Sequence, residues 1–269
     1  RLDNETLLGG EDLLSCAIID YINGYAWFGT NTAPGQIIKV ALGSGYTPPV
    51  RVGSLMLNPG EDFLVSACFD HATETGYFGT RTSPGIVVKV NLGPGPALPT
   101  RVGALTLNLG ENNLYCAVLD SGAQYAYFGA GTSPGRVVKI GLGVGLTPFA
   151  WIGAVTLNGA SFENDLRCAV IDTISGYAYF GANTVPGRVV KVRLGLGAAA
   201  PTRIGSVGFL AGEDYLSTAV ISESSQFAWF GTNTSPGRVV KINLNGALTP
   251  IRVGACILNP GEDSLVGGS

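Results

Sequence analysis

One segment of this sequence recurs five times. Tyr-Ala-Trp-Phe-Gly-Thr-Asn-Thr-Ala-Pro-Gly at 25–35 returns as Gly-Tyr-Phe-Gly-Thr-Arg-Thr-Ser-Pro-Gly at 76–85, and again at 125–135, 177–187 and 227–237. Its phenylalanines Phe28, Phe78, Phe128, Phe180 and Phe230 are 50, 50, 52 and 50 residues apart. A constant period of this length belongs to propellers, solenoids and arrays, in which stacked repeats share one continuous core. The repeat also demotes any single residue. Chemistry at a unique site needs asymmetry, and most features here occur in five copies.

The third repeat shows how one unit is built. Leu114 to Asp120 is a short apolar run, and Ser121-Gly-Ala-Gln124 is a turn. Tyr125-Ala-Tyr-Phe-Gly129 is an aromatic run, followed by a loop that ends in Pro134-Gly135. Arg136 to Leu142 is β-branched, and Ala150 to Leu157 is a fourth run after a second loop. Runs of this length bounded by Gly, Pro, Asn and Asp read as strands. No stretch sustains a 3.6-residue apolar period, so no helix is expected.

Four antiparallel strands in one period make a propeller blade. They are called A, B, C and D in chain order. A is the most uniformly apolar, as an innermost strand should be, and the aromatics of B are large enough to fill the space between sheets. Gly29, Gly79, Gly129, Gly181 and Gly231 at the end of B mark a bulge or a close backbone approach. The expected fold is all-β: a five-bladed β-propeller of four-stranded antiparallel blades with an extra D-like strand at one terminus. The repeats run over about 9–58, 59–108, 109–157, 158–209 and 210–259 of a single domain, 1–269, with 1–8 as the spare strand and 260–269 as a tail. A β-solenoid is the main rival, although its repeats are usually shorter.

The pattern Asp-x-x-x-x-Tyr-Ala-Tyr-Phe-Gly, followed by Pro-Gly-Arg-Val-Val-Lys, resembles the repeats of YVTN- and NHL-type β-propellers. The resemblance covers essentially the whole chain. It implies the propeller fold and says little of function, because such scaffolds serve as binding modules, lectins, enzymes and surface-layer parts.

Composition narrows the partners. Charged residues are 13% of the chain, about half the usual share, and net charge is −3 with no basic run. A nucleic-acid interface would want a basic stripe, so none is expected. No run of about 18 apolar residues is present, so no membrane span is expected. The triplets beginning at Asn4 and Asn233 are N-glycosylation acceptors if the protein is secreted, and an extracellular or cell-surface location is expected on that basis.

In a meandering blade the D–A and B–C connections share one rim, and the A–B and C–D connections share the other. The tidy repeated loops, Asn58-Pro-Gly-Glu-Asp62 with its relatives and Thr-Asn-Thr-Ser-Pro-Gly with its relatives, therefore fall on a common rim. In a structural reading, Glu61 and Asp62 accept hydrogen bonds from the adjacent loop and the threonines fasten turns. In a functional reading, Thr32, Asp62, Thr82, Thr132, Thr184, Asp214 and Thr234 line up to five similar sites for neutral polar ligands such as sugars. The structural reading is favoured, because internal repetition preserves folding determinants first.

No enzyme is expected. Five-bladed glycosidases need two differently tuned carboxyl groups facing one pocket. Here Asp20, Asp70, Asp120 and Asp172 are repeat-equivalent, Ser222 replaces the fifth, and no acid stands out from its copies. His71 is the sole histidine, in a turn after strand A, where a surface position is expected. No C-x-x-C pair occurs, so no metal and no cofactor is expected. The five cysteines read as small buried thiols.

The ends do not match a simple closed ring. Arg1 to Leu8 aligns with Arg51 to Asn58, a D strand, and Arg252 to Asn259 is another, giving six D-like segments against five A–B–C sets. Three explanations fit: a degenerate leftover, a piece of a longer array, or a strand that pairs with a neighbouring molecule's edge. Head-to-tail contacts that do not close give filaments. The expected function is therefore a structural scaffold that self-associates through terminal strand pairing. A lectin-like binder with up to five sites is the alternative.

Overall fold

A computed structural model describes residues 6–144, 149–222 and 226–267. Every regular element but one is a strand, and each repeat forms its own four-stranded antiparallel sheet in simple up-and-down order. The first blade holds β1 (Leu14–Asp20), β2 (Tyr25–Thr30), β3 (Gln36–Ala41) and β4 (Val50–Met56). The second holds β5 (Leu64–Asp70), β6 (Thr75–Thr80), β7 (Ile86–Asn91) and β8 (Thr100–Thr106). The third holds β9 (Leu114–Asp120), β10 (Tyr125–Ala130), β11 (Arg136–Gly141) and β12 (Trp151–Thr156). The fourth holds β13 (Leu166–Asp172), β14 (Tyr177–Ala182), β15 (Arg188–Arg193) and β16 (Thr202–Gly208). The fifth holds β17 (Leu216–Ser222), β18 (Phe227–Thr232), β19 (Arg238–Asn243) and β20 (Ile251–Ile257). The fold class is thus the expected one: all-β, five four-stranded propeller blades of about 50 residues each.

The exception is a 3₁₀ turn at Gly159–Ser161. It takes up the two-residue insertion of the fourth repeat and keeps Glu163 in the place of its shorter-loop counterparts. The chain groups into two compact units, Arg1–Leu114 and Tyr115–Ser269. In the first, Trp27, Ile37, Leu64, Phe78 and Val88 form one buried cluster. In the second, one cluster joins Tyr127, Leu166 and Phe180, and another joins Tyr179, Leu216 and Phe230. Each cluster draws on two neighbouring blades, as stacked repeats must.

The glycine at the end of strand B is a bulge and a close approach at once. Cys16 pairs with Gly29 across a register shift after Leu14, and the shift recurs at Leu64, Leu166 and Leu216. A methyl added to Gly29 would lie 2.6 Å from Cys16 Sγ and 3.0 Å from Leu64 Cβ of the following blade. Four cysteines, Cys16, Cys68, Cys116 and Cys168, are buried as expected. Cys256 departs from that reading. It is exposed on β20, because an outermost strand has only one sheet neighbour to cover it.

Of the proposed spare strand, residues 1–5 and with them Asn4 lie outside the described residues, and Thr6 to Leu8 are not in a strand. The tail after β20 does dock. Leu265 N donates to Thr232 O, and Ser264 N donates to Thr234 O, both at 3.0 Å. In the same way Phe63 N, leading into the second blade, donates to Thr32 O at 2.8 Å.

Candidate functional sites

The D–A and B–C loops meet as the topology demands. Gly35 N donates to Glu61 O, Gly135 N to Glu163 O, and Gly187 N to Glu213 O, at 2.9–3.0 Å. Thr32, Thr82, Thr132, Thr184 and Thr234 each donate their hydroxyl to the carbonyl of the proline two residues on, at 2.7–2.9 Å. That proline follows a cis peptide bond in all five loops. Thr32 and Asp62 lie in neighbouring loops joined by the Phe63–Thr32 bond, and Thr184 and Asp214 by the bond from Tyr215 N to Thr184 O. Asp62 is half-buried, and Asp214 Oδ1 is buried without a partner, as are Asn112 and Asn164 Oδ1 at the same repeat position. Asn233 is exposed.

The glutamates of these loops are tied down differently from the expectation. The Glu61 carboxylate accepts from its own loop at Asn58 N and from the Arg101 guanidinium, while its backbone carbonyl takes the adjacent loop's Gly35 N–H. Glu11 with Arg51, Glu163 with Arg203 and Glu213 with Arg252 repeat the pair. The Arg51 hydrogen bonds hold the Glu11 carboxyl down at about 2 against the opposing effect of burial. Burial pushes Glu163 and Glu213 up, but their arginines and a loop amide outweigh it, and both sit below the ordinary carboxylate value.

A second set of contacts builds the junction between blades, and its key residue is the lysine of strand C. Lys39 Nζ donates to Leu92 O, Gly93 O and Ala97 O on the next blade's C–D loop, at 3.2, 2.5 and 2.9 Å. Lys139 Nζ reaches Gly195 O, Gly197 O and Ala199 O, and Lys191 Nζ reaches Gly246 O. Each ammonium also lies over an aromatic ring of strand B, 4.5, 4.0 and 4.1 Å from the centroids of Tyr25, Tyr125 and Tyr177. Burial lowers Lys139 to about 8. Alongside, Trp27 Nε1, Tyr127 Oη and Tyr179 Oη donate to Leu92 O, Leu194 O and Leu244 O. The glycine of strand D completes the contact: a methyl on Gly53 would lie 2.4 Å from Leu98 Cδ2, one on Gly153 2.6 Å from Ala200 Cβ, and one on Gly205 2.6 Å from Leu248 O.

The fifth blade carries the same three residues. Lys241 sits 4.0 Å from the Phe227 centroid but has no carbonyl acceptor among the described residues. Trp229 is half-buried where Trp27, Tyr127 and Tyr179 are 1–2% exposed. A methyl on Gly254 would meet nothing within 4 Å. An apolar cavity of 240 Å³ opens here between Val220, Trp229, Leu265 and Val266. Ile19 is 53% exposed, and Leu42 is half-buried where Leu92, Leu194 and Leu244 are buried.

The acids at the end of strand A are not equivalent after all. Asp20, Asp70 and Asp172 are buried, and each accepts on Oδ2 from a turn side chain, Asn23 Nδ2, Thr73 Oγ1 or Ser175 Oγ. Asp120 is half-buried and accepts on Oδ1 from Ala123 N. Position 123 is alanine, so among the described residues no turn side chain donates to Oδ2. The sequence signal was present, but it was the loss of a donor three residues away rather than any change in the acid itself. His71 is exposed, as expected, with its ring 4.1 Å from that of Phe69.

No family model matches the chain, and no curated protein matches its sequence. Solved structures do match in shape. A functionally unknown protein from Desulfotomaculum acetoxidans superposes with a TM-score of 0.66 at 11% identity, over 95% of this chain and 74% of that one. A protein from Lactobacillus plantarum gives 0.70 at 10% identity, over 91% and 71%. A hypothetical selenium-binding protein from Sulfolobus tokodaii gives 0.65 at 9% identity, over 88% and 60%. Identity this low carries the fold alone. No helix of the described residues is long and apolar enough to cross a membrane. Sheet order, repeat length and structural likeness together make this chain a β-propeller-like repeat protein.

Proposed function

We propose that the chain is a non-enzymatic structural scaffold of the YVTN/NHL propeller kind that self-associates head to tail outside the cell. The observation that carries this reading is that the fifth blade carries the junction residues of the other blades. Lys241, Trp229 and Gly254 offer the same surface that Lys39, Trp27 and Gly53 offer to the second blade. The occupant that fits is the first blade of a second copy. Ile19, Leu42 and the carbonyls of the 43–47 loop correspond to Phe69, Leu92 and the carbonyls that hold Lys39. The contact is therefore blade face to blade face, not the strand-edge pairing that the terminal repeats alone suggest. Like-on-like contacts that do not close propagate as filaments, and the small share of charged residues lowers the barrier to packing.

The alternative, a lectin-like binder on the D–A and B–C rim, draws less support. Every threonine it would use donates its hydroxyl to a proline carbonyl.

Light scattering and electron microscopy across a concentration series test the scaffold. Concentration-dependent chains are expected, weakened by Lys241→Glu and by Ile19→Lys. A monodisperse monomer at high concentration overturns the reading. Glycan binding lost on substitution of Thr82 and Thr132 would favour the alternative.

A further inference from the structure

We infer that the groove between the third and fourth blades, on the rim of the A–B and C–D loops, is a binding site for a neutral saccharide unit. The inference is independent of self-association, which uses other faces.

The groove holds a cavity of 710 Å³, within the range of small-molecule sites. The corresponding groove between the first and second blades encloses only 10 Å³. The wide groove is also where the repeat pattern breaks twice. Asp120 lines it with Oδ2 unclaimed, because Ala123 stands where Asn23, Thr73 and Ser175 supply a donor in the other repeats. Arg193 lines it too, at a position held by Ala41, Asn91, Gly141 and Asn243 elsewhere. The Arg193 guanidinium lies 5.9 Å from the centroid of the Tyr177 ring, and its charge helps hold that phenol below its ordinary value. Arg193 is exposed, and its guanidinium carries five N–H donors.

The site thus presents one strong acceptor, one strong donor and the oxygen of the Ser175 hydroxyl, whose hydrogen goes to Asp172. The two charges cancel, so a charged ligand gains nothing net from the pair. Polar groups spread over a cavity this wide match a ligand whose hydroxyls are equally spread, able both to donate to a carboxylate and to accept from a guanidinium. A pyranose has that chemistry.

The test substitutes this blade toward its own siblings, which the fold already tolerates. Methyl pyranosides and simple disaccharides are titrated against the full chain by saturation-transfer NMR and calorimetry, with free amino acids as the competing class. Saccharide binding is expected. Ala123→Ser, which re-ties Asp120 as Ser175 ties Asp172, and Arg193→Asn are each expected to weaken it about tenfold with no loss of thermal stability. Absence of saccharide binding at millimolar concentration overturns the proposal. So does binding of amino acids instead, or saccharide binding that neither substitution changes.

Discussion

Lys139 Nζ donates to the carbonyl of Gly197, 2.7 Å away on the loop of the following blade. The ammonium is covered on one side by Tyr125 and on the other by three carbonyls, so the cation is held mainly by carbonyls, with the Asp120 charge acting from farther off. Charge-assisted hydrogen bonds of this kind are stronger than neutral ones and fix geometry. They set the spacing between blades.

Lys139→Met should destabilise the chain by about 1–3 kcal/mol, because the carbonyls lose their donor while buried. Lys241→Met, at the same repeat position but without such acceptors, should stay within about 0.5 kcal/mol. Urea denaturation of the two variants checks the contrast. Equal losses would show that the aromatic contact, common to both, is what matters.

Gly29→Ala drives a methyl to 2.6 Å from Cys16 Sγ. Overpacking of this sort costs about 1–3 kcal/mol. Gly254→Ala places its methyl in open space and should leave the thermal midpoint in place or raise it slightly.

Acid should unfold the chain through its buried glutamates. Glu11 is held at about 2, well below its ordinary value of 4.5, so the folded state binds its proton less readily than the unfolded one. Stability from this group is complete above 4.5 and is lost as pH falls toward 2. Glu163 and Glu213 are shifted the same way and add to the same limb. Circular dichroism melts should therefore be flat from neutral pH to about 5 and fall steeply below it. Arg51→Met should shallow that fall.

One thiol should react in the native protein. Cys16 and Cys116 are pushed up to about 12 by burial, and the thiolate is the reactive form. Cys256 alone is exposed among the five free cysteines. Mass spectrometry after brief alkylation should find a single adduct at Cys256, and five after denaturation.

The blade itself was legible in the chain. Each strand B has its aromatics, each strand C its Val-Val-Lys, and each loop its Pro-Gly, so local pattern sets strand, turn and order. The pairing of D–A with B–C loops followed from up-and-down topology. The part played by the lysines did not. Lys39 looks like a polar residue at the end of an apolar run, and its acceptors lie 53–58 residues further on. The non-equivalence of Asp120 was legible only at Ala123, three residues on, and not in the acid, whose position is that of its copies.

Sequence alone determined the repeat, the four strands in each copy and the small residues where backbones approach. These are properties of short segments, decided by side-chain period and turn chemistry. Only the tertiary structure decided which copies differ. Whether Lys241 has an acceptor, or Asp120 a donor, depends on what a neighbouring blade or turn brings within about 3 Å. A periodic sequence writes identical residues into surroundings that are not identical, and the surroundings set their chemistry.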